Sequence, residues 1–279
     1  MIKLSIPLEG MTAEDLFVAC VNGYKSESNR NRFLQVKHLV AADAAAYEDL
    51  VPMHPFVCSE LPEGLGNEDM VRIYEGYLVD SEAPARHYYD AIKNHAWNNT
   101  CPYCGVNNVT TLDHYLPKSH YSTLVVAPVN LIPACMACNH KKRDDKADDA
   151  SSAPIHAYLD EIPQGAWLHV ELGPNMEVAY VVRCPETWDP VLCRRLENHV
   201  KKFELKRLYQ NKAPSLIAER GYDWYEVLNE SEEDLHKAIS RERRGYERTD
   251  LNSWKSALLR GIEGNLKLLT AYLHKTYDK

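Results

Sequence analysis

Two Cys-x-x-Cys pairs, Cys101 with Cys104 and Cys135 with Cys138, constrain this chain more than any other feature. Four thiolates in two such pairs can close a tetrahedron around one zinc ion, the geometry of a structural zinc site. The other four cysteines, Cys20, Cys58, Cys184 and Cys193, are scattered singly and read as small buried hydrophobes. The opening residues Met1-Ile2-Lys3-Leu4-Ser5-Ile6 do not form a signal peptide, and no apolar run is long enough to cross a bilayer. A cytoplasmic location and no membrane partner are therefore expected, and there paired cysteines serve as metal ligands rather than a disulfide framework.

Thirty residues separate Cys104 from Cys135, more than the about fifteen to twenty of a simple zinc ribbon. The excess holds Leu112-Asp113-His114-Tyr115-Leu116-Pro117-Lys118-Ser119 and then Asn130-Leu131-Ile132-Pro133, while Asn139-His140-Lys141-Lys142-Arg143 follows the last cysteine. Hydrolysis of a phosphodiester needs a base for water, a hard cation to neutralise developing charge, and oxygen ligands for that cation. Asp113 and the Asn139 amide are suitable oxygen donors for Mg²⁺ or Mn²⁺. Neutral imidazole at His114 can be the base. Adjacent side chains of a regular strand point to opposite faces, so Asp113 and His114 converge only if Leu116-Pro117 breaks the strand. Zinc on Cys138 would clamp the start of the helix that presents Asn139. Lys142, three residues on, and Lys118 are candidate phosphate contacts.

With Cys-Pro-Tyr-Cys-Gly at 101–105 and Asn-Leu-Ile-Pro-Ala-Cys-Met-Ala-Cys-Asn-His-Lys-Lys at 130–142, these residues resemble the HNH, or ββα-metal, endonuclease family. The likeness is to its zinc-bearing four-cysteine form, found in bacterial restriction and phage-defence nucleases. It implies His114 as general base, Asp113 as the metal-binding acid, Asn130 as the asparagine that holds the catalytic loop, and Asn139 as the second metal ligand, an HNN variant. His120 and His140 lie nearby as other possible ligands. A proline often follows the loop aromatic in similar sequences, whereas Ser122 follows Tyr121 here. The wider layout resembles Septu-type and retron-associated nucleases that work with an ATPase partner. This chain has no phosphate-binding Gly-x-x-x-x-Gly-Lys motif, so any ATP dependence would sit in another subunit.

Around this segment the sequence predicts an α+β, mainly helical protein. A helical N-terminal region covers residues 1–96, a ββα zinc module 97–150, and a β-hairpin with helices 151–279. Finer expectations are a strand at Lys3–Pro7, a helix start at Thr12 with Asp15, and a loop over Leu61–Asn67 between helical stretches. In the module the order is hairpin, long loop, then a helix from Cys135 towards Ala150. Strands follow at Trp167–Glu171 and Val178–Val182. A helix over Pro190–Tyr209 buries Leu192, Leu196, Val200 and Phe203, with Arg194, Arg195, Lys201 and Lys202 on its outer face. A last helix from Ser253 aligns Trp254, Leu258, Ile262, Leu266, Leu269 and Leu273.

Net charge is −8, unevenly spread: residues 1–100 carry 8 Lys/Arg against 15 Asp/Glu, and residues 201–279 carry 16 against 13. Three functions remain open. The first is a metal-dependent endonuclease acting on DNA, taken as double-stranded. The second is a zinc-stabilised nucleic-acid-binding module without catalysis. The third is a partner-docking subunit, silent alone, for which an acidic N-terminal surface is suited.

Overall fold

The computed structural model describes residues 3–49, 56–144 and 149–278, which divide into two compact units, 2–161 and 162–279. The protein is α+β and mainly helical, with two separate two-stranded antiparallel sheets.

The first unit opens with three helices, α1 (Ala13–Val21), α2 (Glu27–Leu34) and α3 (Lys37–Asp49). Thr12 starts α1 through a capping box with Asp15, as its spacing predicts, and Ser26 caps α2. The expected strand at Lys3–Pro7 does not form. Leu4 is buried, and its N–H donates to the Ala157 carbonyl (2.9 Å), a single contact rather than a ladder. The loop over residues 61–66 is present, and α4 (Asn67–Tyr74) follows it. The helical stretch expected after this loop is interrupted between residues 80 and 85. A π-helical turn at Glu75–Val79 continues α4, and α5 (Arg86–Asn94) begins only after a turn. Such turns widen a helix by one residue and are frequent at functional sites.

Next come β1 (Thr111–His114), β2 (Leu131–Ala134) and α6 (Met136–Lys142). The strands pair antiparallel, with Asp113 opposite Ile132 and His114 opposite Leu131. The long loop therefore lies inside the strand pair, over residues 115–130, and not between a hairpin and the helix as expected. α6 is shorter than predicted: Arg143 adopts a left-handed φ of 53° and ends it. Residues 145–148 of the expected helix lie outside the described residues.

In the second unit, β3 (Leu168–Leu172) pairs with β4 (Val178–Val182) across the expected turn. Five helices follow: α7 (Pro190–Lys202), α8 (Leu205–Glu230), α9 (Glu232–Glu247), α10 (Trp254–Glu263) and α11 (Leu266–Tyr277). Two single helices predicted from apolar stripes are each split. Glu204, with φ 52°, divides α7 from α8, and Gly264-Asn265 divides α10 from α11. Leu196, Val200 and Phe203 are buried as expected, whereas Leu192 is only half-buried. Arg195, placed by periodicity on a solvated face, is buried as well.

Candidate functional site

The four paired cysteines are buried, and their Sγ atoms all lie within 4.8 Å of one another. Tetrahedral ligands with Zn–S of about 2.3 Å lie about 3.8 Å apart, so four such thiols can hold a metal ion such as zinc. Two local devices prepare the cluster. Gly105 takes φ +62° directly after Cys104, and its N–H donates to the Cys101 carbonyl (2.8 Å), folding the first pair into a tight turn. Cys135 caps α6, its sulfur accepting from the Cys138 N–H (3.4 Å). Asn107 donates to two of the sulfurs, from its backbone to Cys104 (3.4 Å) and from its amide to Cys135 (3.7 Å). Bonds of this kind favour thiolate over thiol.

Beside this cluster, β1 and α6 border a cleft of about 320 Å³. Asp113, His114, Lys118 and Asn139 all line it, together with Tyr74, Glu75 and Tyr89 from the helices of the same unit. Asp113 and His114 both lie within β1, paired in regular register with Ile132 and Leu131, yet both line this one cavity, so a break of the strand at Leu116-Pro117 is not what brings them to it. His120 and His140 are exposed and do not line it.

His114 is buried, and its Nε2–H donates to the Val125 carbonyl (2.8 Å). A carbonyl can only accept, so Nε2 carries the proton and Nδ1 keeps the lone pair. Burial, with the nearby Lys118 and Lys142 ammonium groups, pushes the imidazole down to about 3, and the ring stays neutral. The Tyr74 ring meets it edge-on, with centroids 4.4 Å apart.

Asp113 is buried and accepts a hydrogen bond from the Tyr103 hydroxyl (2.7 Å). Lys142 Nζ lies 3.3 Å from its Oδ2 and also donates to the His114 carbonyl. Burial raises the Asp113 carboxyl above the usual carboxylate range, against the pull of Lys142 and Tyr103. Lys142 is thus a buried partner of Asp113 and not an exposed cation at the end of a helix. Lys118 pairs with Glu75 (2.6 Å), and its ammonium lies 5.4 Å from the centre of the Tyr74 ring.

Asn130 does not line the cleft; it builds the loop that does. It is fully buried, accepts from the Leu116 N–H (2.7 Å), and donates to the carbonyls of Leu116 (3.0 Å) and Leu124 (3.2 Å). Its own carbonyl accepts from the Tyr115 N–H (2.9 Å), so one residue closes both ends of the 115–130 loop. The middle of the loop is tied to α3, where buried Asp43 takes the Thr123 hydroxyl (2.5 Å).

Sequence reasoning missed Tyr74, Glu75, Tyr89 and Tyr103 as neighbours of these residues. Tyr103 sits inside the first cysteine pair, and asking which side chain that knuckle turns inward could have found it. Nothing local marks the other three, which arrive from α4, the π-helical turn and α5.

Two known proteins are similar to the chain. Protein ea31 of Escherichia phage lambda is 26% identical over 230 residues, which cover 77% of each. Septu protein PtuB of Bacillus thuringiensis is 38% identical over 63 residues, 21% of this chain and 23% of that protein. No family profile and no solved structure matches the chain.

Proposed function

We propose that this chain is a metal-dependent HNH endonuclease that hydrolyses phosphodiester bonds of DNA, the nuclease effector of a bacterial anti-phage defence or restriction system. The observation that carries the reading is the meeting of a buried neutral imidazole, a buried carboxylate and an amide oxygen in one cleft, beside a cluster of four thiols. The similarity to a Septu protein supports the setting.

In this reading Cys101, Cys104, Cys135 and Cys138 hold a structural zinc. Asp113 and Asn139 would hold Mg²⁺ or Mn²⁺, and their hard oxygen atoms suit those ions. The Lys142 ammonium 3.3 Å from Asp113 would have to share the carboxylate with the cation. When bound, the cation neutralises charge on the phosphate and on the leaving oxygen. The Val125 carbonyl fixes the His114 tautomer, so Nδ1 is the atom that takes the proton of the attacking water. A phosphodiester anion entering the cleft favours the protonated ring and strengthens it as a base. Tyr103 orients Asp113, and Asn130 holds the loop that carries Val125.

The test is cleavage of supercoiled plasmid with Mg²⁺ or Mn²⁺, beside a chelator control and His114→Ala. Loss of a general base lowers the rate by about 10²–10⁴-fold. Equal activity in the variant would remove His114 from the reaction.

One observation favours a second reading, a nucleic-acid-binding or partner-docking subunit that is silent alone. Asp113 is already engaged by Lys142 and Tyr103, and both it and His114 are almost wholly buried. A protein that cleaves only beside a co-purified partner, such as an ATPase subunit, would support it.

A further inference from the structure

We infer that the exposed face of α9 is a docking surface for the phosphate backbone of duplex DNA, an inference that rests on the nuclease reading above. α9 buries Leu235, Ile239 and Ser240. Away from them, Lys237, Arg241 and Arg244, with Arg248 as the residue that caps the helix C-terminus, follow at intervals of four, three and four residues, and all four are exposed. These intervals keep side chains on one face of a helix.

Lys237 is held by Glu233 (2.7 Å) and Asp234 (3.3 Å). The three arginines make no ion pair among the described residues, because the carboxylates around them are engaged elsewhere. Glu242 takes Arg220 (3.2 Å) and the Trp224 indole (3.3 Å). Glu247 takes Arg243 and Arg260 (2.8 Å), and Glu263 takes Arg243 and Ser240. Three guanidinium groups are left uncompensated in a chain whose net charge is −8.

Such a line repels itself until an anion meets it. Arginine binds phosphate oxygens in pairs through its planar fork. From Arg241 to Arg248 the helix axis rises about 10.5 Å. A duplex strand presents a phosphate every 3.4 Å along its axis, so that span runs alongside about four phosphates, enough to engage all three arginines. The planar forks of three arginines suit the paired oxygens of successive phosphates, which a duplex offers as an unbroken row.

The experiment uses full-length protein carrying His114→Ala, so that DNA survives the assay. Binding to a labelled duplex is followed by fluorescence anisotropy across a range of salt, without added divalent cation. On that background Arg241→Ala/Arg244→Ala/Arg248→Ala is compared with Lys206→Ala/Arg207→Ala/Lys212→Ala, an equal loss of charge from exposed residues of α8. The arginine triple should weaken binding at least about tenfold and flatten the slope of log K against log salt by about 2.7, with a clearly smaller change in the lysine-rich control. Equal losses in both triples, no loss in the arginine triple, or no binding before substitution would each overturn the inference. Poly-glutamate displacing the duplex as well as unlabelled DNA does would assign the face to an acidic protein and overturn it too. Plasmid cleavage and its dependence on His114 are scored separately, so failure of the stripe and failure of the nuclease reading are different results.

Discussion

Asn130 and Lys142 both act through buried polar contacts, and each makes a sharp prediction. Replacing Asn130 with Ala strands the Leu116 N–H and two carbonyls inside the protein. Each unpaired buried group costs about 1–3 kcal/mol, so a loss of roughly 3 kcal/mol or more is expected in urea denaturation. Asn130→Asp keeps the acceptor and loses both donated bonds, and should recover only part of that stability. Lys142 belongs to a buried ion pair, and removing one partner leaves a desolvated charge. Lys142→Met should therefore cost about 3–5 kcal/mol, while Lys142→Met with Asp113→Asn should return much of it. If Lys142 were a solvated phosphate contact, Lys142→Met would leave stability unchanged. Calorimetry on the single and double variants tells these apart.

Packing between helices and strands depends on approaches that no periodicity reveals. A Cβ built on Gly261 of α10 would stand 2.9 Å from the Val170 side chain and 3.2 Å from its carbonyl on β3. Gly261→Ala should thus destabilise the second unit by about 1–3 kcal/mol, despite the better helix propensity of alanine. A thermal midpoint that rose in this variant would mean that the helix and strand can separate without penalty. The broken helices make the same point. The apolar stripe along residues 192–203 correctly marks a buried face, but it cannot show that Glu204 turns left-handed and starts a new axis. Arg195 falls outside that stripe and is buried nonetheless, because other parts of the fold cover it.

Across the molecule, the cysteine cluster and the helical unit at 162–279 should respond differently to metal removal. In the proposed reading the zinc ties the start of α6 to the knuckle at 101–104, within a segment whose two strands are four residues each. Structural zinc contributes about 10–16 kcal/mol of apparent binding energy, so its removal should release the segment that carries Asp113, His114 and Asn139. A strong chelator, or Cys138→Ser, should abolish amide protection across residues 101–142 and leave most helical circular dichroism intact. Metal analysis should return one zinc ion per chain. Hydrogen exchange that stayed protected in the metal-free protein would show that apolar packing alone holds the site.

Much of the site was legible because its chemistry is written in short spacings. Each cysteine pair, the adjacent Asp113 and His114, and Asn139 directly after Cys138 are short spacings along the chain, whereas joining one cysteine pair to the other, and Asp113 to Asn139, takes the pairing of β1 with β2. The Thr12 capping box and the strand pair around residues 173–177 are local in the same sense, since a few consecutive residues decide them. Which groups face those residues was not legible. Lys142 lies on Asp113 from 29 residues away, and Glu75 reaches Lys118 from 43 residues away, because a strand pair and a π-helical turn bring distant backbone into register. The amino-acid sequence alone determined what the candidate site is made of. Only the tertiary structure decided which charges are paired, which are buried and which are left open to solvent, because those depend on burial and on contacts between segments far apart in the chain.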